Sequence, residues 1–139
     1  MLCAGKLGTS PRRRPGPRTA TTLLAAARRA WEEGGGKRPG NPADLYMTLV
    51  AYFNALRELG SARRIVEDEV RTRLTGYGNR RRVGVTSPPL VDRRLGDPLE
   101  LTSRVGAAEV ADAKRRLETE FAGDRPVDVA LATNDFRRA

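Results

Sequence analysis

The 139-residue chain has no histidine and one cysteine, Cys3. Without imidazole there is no His-based acid/base chemistry and no His-containing metal site. A single thiol excludes an internal disulfide, which fits a reducing compartment and leads us to expect a cytoplasmic protein. Aromatic residues make up 5% of the chain and the mean hydropathy is −0.53, so the core is expected to be thin and the fold marginal, partly molten in isolation. No apolar run approaches the roughly 20 residues that cross a bilayer. Acidic residues are missing from positions 1–31, which carry seven basic ones.

The formal charge of +9 points to a polyanionic partner. The basic residues are nearly all arginine, which suits bidentate phosphate contacts. Abundant Arg, Ala, Gly and Pro are equally the mark of a GC-rich genome. The length allows one domain at most.

Residues 1–20 read as a disordered basic arm, rich in Pro, Gly and Arg. Arginines ahead of TATTLLAAA resemble a signal peptide, but the apolar part is short and runs into Arg28 and Arg29. Residues 21–40 read as a helix and linker. Thr21 or Thr22 stands near the helix cap, and Leu23, Leu24, Ala27 and Trp31 share one face. The GGGK at residues 34–37 fails as a phosphate loop: Lys37 is followed by Arg38, and Trp31 stands where the first glycine belongs.

LYMTLVAYF, residues 45–53, has the continuous apolar character of a strand buried on both faces, with a buried helix as the alternative. A helix over 54–74 follows, with Leu56, Leu59, Val66, Val70 and Leu74 inward and a break expected at Gly60-Ser61. Arg63–Glu67, Glu67–Arg71 and Glu69–Arg73 have i,i+4 spacing, so the acidic triplet Glu67, Asp68, Glu69 reads as solvated helix surface. Residues 75–98 are irregular and hold five arginines. There Tyr77 beside Arg80, Arg81 and Arg82 has the make-up of a base-stacking, phosphate-holding loop; a solvated loop is the competing reading. LELT at 99–102 predicts a short strand, 107–121 a helix with Val110, Ala113 or Lys114, Leu117 and Phe121 at helical spacing, and VDVALA at 127–132 another strand.

Helices alternating with three strands predict an α/β layer with parallel strands and right-handed crossovers. Loops at the carboxyl ends of such strands carry the chemistry. They begin at Asn54, Ser103 and Thr133.

A strand entering YFNALRELG, then ELTSR, then a helix ending in phenylalanine, then VDVALATN resembles the second RecA-like domain of superfamily 2 helicases. The phrasing is most similar to large helicase-like proteins of bacterial DISARM-type antiviral defence. The resemblance covers residues 41–134. It implies a partial RecA-like three-layer sandwich with a mainly parallel sheet behind a flexible basic arm, with 41–139 as a truncated helicase C-terminal domain. It also implies DNA or RNA held through phosphates by Asn54, Arg57, Thr102, Ser103, Arg104, Thr133 and Asn134. ATP and Mg²⁺ belong to the full-length family. After Asn134, however, this chain has DFRRA in place of the family's glycine–aspartate motif and arginine-bearing motif VI. The phosphate loop and acidic metal box of a first RecA-like domain are also missing. The expectation is a fragment of an ATP-dependent helicase, without cofactor or catalytic activity alone, that needs the first RecA-like domain as partner. A small basic nucleic-acid-binding protein and a non-enzymatic interaction module are the alternatives.

Overall fold

The computed structural model describes residues 2–4, 16–78, 84 and 90–134. Four strands form one parallel sheet: β1 (Leu2–Ala4), β2 (Leu49–Phe53), β3 (Leu99–Leu101) and β4 (Val129–Thr133), in the order β1-β2-β4-β3. The register sets Leu49 against Val129 and Phe53 against Thr133, while Leu99 and Leu101 face Ala130 and Ala132. The helices are α1 (Pro17–Glu33), α2 (Leu56–Ile65), α3 (Arg71–Leu74) and α4 (Ala107–Glu118).

Both sheet faces are covered, which is why β2 and β4 read as unbroken apolar runs. Alternate residues point to opposite faces. Leu49, Ala51, Phe53, Val129 and Leu131 meet Leu24 and Ala25 of α1 and an inner stripe that runs from α2 to α3: Leu59, Val66, Val70 and Leu74. On the other face Val50, Ala130, Leu101 and Ala132 are buried, with Ala113 and Leu117 of α4 against the β3–β4 side. The result is α/β with a parallel sheet between helices, compatible with a partial RecA-like sandwich.

Several sequence expectations are corrected. Leu2–Ala4 lies inside the supposed arm yet pairs with β2, whose edge supplies backbone partners to a segment without a pattern of its own. The helix expected from residue 21 opens at Pro17, whose fixed φ suits a first helical position. Thr21 and Thr22 therefore sit inside it, their hydroxyls donating to the Pro17 and Arg18 carbonyls at 2.5 and 2.9 Å. The run at 45–53 is a strand only from Leu49; Asp44–Tyr46 form a 3₁₀ turn that leaves Leu45 and Tyr46 exposed. No break occurs at Gly60, and the Ser61 hydroxyl donates to the Arg57 carbonyl instead of capping. The helix continues through a π-helical turn, Val66–Val70, into α3. Arg63–Glu67 and Glu69–Arg73 pair as expected, but Arg71 turns to Asp97 at 3.0 Å and not to Glu67. Among the described residues β4 is an internal strand, and β1 and β3 are the edges.

The glycine run ends α1 in a way other residues resist. Gly36 has φ +62, and a Cβ on Gly34 would meet Asn41 Oδ1 at 2.5 Å. Buried Asn41 fastens the turn, its Nδ2 donating to the Trp31 and Gly36 carbonyls at 2.8 and 2.9 Å.

Candidate nucleic-acid interface

All strands run the same way, so β2, β4 and β3 deliver their carboxyl ends to one edge of the sheet. Asn54 follows β2 directly and Asn134 follows β4. The Phe53–Thr133 register brings them side by side, and Asn134 Nδ2 donates to Asn54 Oδ1. Arg57 is exposed on the first turn of α2. Ser103 and Arg104 are exposed in the turn after β3. The structure therefore gathers the three sequence-predicted strand ends at one edge, on short loops held by the sheet.

The two threonines are placed differently from the rest. Thr102 is 1% exposed and shapes its loop: its carbonyl accepts from Val105 N at 3.1 Å, and Arg104 N approaches its hydroxyl at 3.4 Å. Thr133 is 3% exposed, and its hydroxyl finds no hydrogen-bond partner. In these positions both threonines line the base of the edge, and the accessible donors are Ser103, Arg104, Arg57 and the asparagine amides. Beside Arg104 a cleft of about 680 Å³ opens between β3 and α4, where Glu100, Glu109 and Asp112 join Arg104 and Arg116. Those carboxylates oppose a phosphate, so the cationic zone is narrow. Arg63 does not add to it. Its guanidinium is committed to Glu67 and Glu100 at 2.9 and 3.0 Å, and the Glu67 hydrogen bond is the main reason its pKa is raised.

Tyr77 is not brought to this edge. It is half-buried against the α1 side of the core, with its hydroxyl 3.3 Å from that of Thr22. The base of its loop is closed by Gly78 N donating to Asp92 Oδ1 at 2.6 Å and Arg93 N donating to the Leu74 carbonyl at 3.2 Å. Arg80, Arg81 and Arg82 lie outside the described residues.

Among the described residues the most elaborate polar cluster sits at the opposite, amino edge, and nothing in the sequence singled it out. Arg93 is 3% exposed. Its Nη2 donates to the Met47 carbonyl at 2.6 Å and to Asp128 Oδ1 at 2.7 Å, and its Nη1 donates to the Leu24 carbonyl at 3.1 Å. Asp128 Oδ2 in turn accepts from Gly96 N at 2.8 Å. The guanidinium also lies 5.3 Å from the Phe121 ring centre. Burial pulls the Arg93 pKa below its ordinary value, and the Asp128 carboxylate opposes that pull. One side chain thus ties α1, the approach to β2 and the approach to β4 together. The only sequence signal is an arginine among others in an irregular stretch, which no pattern rule separates.

Among the described residues no cluster of His, Cys, Asp and Glu could hold a metal ion, and no helix is long and apolar enough to cross a membrane.

These features define a parallel α/β domain with a polar carboxyl edge. No family model matches the chain. Among curated proteins it is similar to the DISARM protein DrmA of Bacillus paralicheniformis, with 37% identity over 91 residues. That alignment takes in 66% of this chain and 8% of the relative, so the chain spans about a twelfth of the relative's length.

Proposed function

We propose that this chain is a DISARM-related antiviral defence protein, acting as the second RecA-like unit of a helicase-type motor that grips the sugar–phosphate backbone without reading sequence. The observation that carries this is the convergence of Asn54, Asn134, Ser103 and Arg104 at the carboxyl edge of a parallel sheet, with Arg57 beside them. Amides, hydroxyls and guanidinium groups can all donate to phosphates and sugars, and contacts of that kind carry no base information. The similarity to DrmA supports the defence assignment.

The 139 residues contain no Walker A sequence. We therefore assign ATP and Mg²⁺ to a first RecA-like domain that would pair with this one, in the cytoplasm. Nucleotide turnover needs a phosphate cradle, a metal carboxylate and usually an arginine finger.

Competition binding tests the reading. The purified chain is titrated with a labelled single-stranded oligonucleotide, and unlabelled strands of unrelated sequence compete. Equal competition by all sequences, with no ATP hydrolysis by the chain alone, is expected. Strong preference for one sequence, or ATP turnover by the isolated chain, would contradict it.

A further inference from the structure

The amino edge of the sheet carries a second surface, which does not depend on the nucleic-acid reading. α4 runs back against the strands, so its last turn arrives beside the 3₁₀ turn that precedes β2. Between them lies a cleft of about 210 Å³ lined by Asp44, Leu45, Leu117, Glu118, Glu120 and Phe121. Its floor is fixed: Phe121 N donates to Asp44 Oδ1 at 2.9 Å, and the Phe121 ring meets Trp31 edge-on at 5.8 Å. Leu45 and Tyr46, at 66% and 51% exposed, stand at this edge; they are two of the three exposed large apolar side chains among the described residues.

The charge here is opposite to that of the chain. The net charge is +9, yet the described cleft residues include three carboxylates and no lysine or arginine. A slot with room for one large side chain, offering Leu45, Leu117 and Phe121 beside three carboxylates on a basic protein, selects a partner by both features. The net positive charge of the molecule repels a cationic partner, and the carboxylates of this rim offset that repulsion locally. The geometry points to a docking site for a protein segment that carries arginine or lysine on both sides of an apolar anchor. The anchor enters between Leu45 and Phe121, and the flanking cations meet Asp44, Glu118 and Glu120.

Fluorescence anisotropy with three labelled peptides tests this. One alternates leucine with arginine, one replaces each arginine by glutamate, and one replaces each leucine by serine. The leucine–arginine peptide should bind, with the other two at least about tenfold weaker. Leu45→Ser, and Glu118→Lys combined with Glu120→Lys, should each weaken it about tenfold. Their circular dichroism should not change, because all three side chains are exposed. Equal binding to the variants, or equal binding of the glutamate peptide, overturns the proposal. So does concentration-dependent self-association abolished by Leu45→Ser, since the occupant is then a second copy.

Discussion

Arg93→Met removes a guanidinium and keeps most of its stem. Asp128 is then left buried without its cation, and the Met47 and Leu24 carbonyls lose a donor that had reached them at 2.6 and 3.1 Å. Breaking one side of a buried ion pair costs about 3–5 kcal/mol, because the survivor remains charged and uncompensated. Against a total stability on the order of 5–15 kcal/mol, that is a large share. At roughly 4 °C per kcal/mol for a domain of this size, the thermal midpoint should fall by about 12–20 °C. Far-UV and near-UV circular dichroism on heating measure it. The double variant Arg93→Met with Asp128→Asn should recover part of the loss. No stranded charge remains in it, and asparagine can still accept from Gly96 N, which Asp128 receives at 2.8 Å. A single-variant midpoint within about 2 °C of the parent, or a double variant no better than the single, would refute the idea that this pair locks the amino edge.

Gly60→Ala should raise stability by about 1 kcal/mol in urea unfolding. The glycine is inside a continuous helix and a Cβ there meets nothing within 4 Å. A loss would mean that the chain breaks at Gly60 after all. Thr133→Val replaces a buried hydroxyl that has no partner by a group of the same shape. The thermal midpoint should hold or rise, worth up to about 1 kcal/mol, and a clear fall would mean that the hydroxyl is bonded.

Much of this architecture is visible in local pattern. The apolar runs that became β2 and β4, and the helical spacing of Leu59, Val66, Val70 and Leu74, follow from burial on one or both faces. Alternation of helix and strand announced a parallel sheet, and hence an edge where strand ends meet. What pattern cannot carry is long-range. Leu2–Ala4 is a strand only because β2 offers an edge, and the order β1-β2-β4-β3 is decided by contacts far apart in sequence. Propensity argued for a helix break at Gly60, but the buried side chains on either side hold the helix through it. Thr102 and Thr133 stand at the edge where the strand ends meet, yet their burial depends on neighbours that the sequence does not place beside them.

The proposed grip of the carboxyl edge on nucleic-acid phosphates runs through Arg57 and Arg104. It is tested most directly by the salt dependence of single-stranded DNA binding in the parent chain and in Arg57→Ala combined with Arg104→Ala. Each phosphate contact contributes about 0.7 to the slope of log affinity against log salt on a single strand. Both arginines are exposed, so the fold should survive their loss. The slope should be shallower by about 1.4 in the double variant, with affinity reduced alike for every sequence. An unchanged slope and affinity would contradict it.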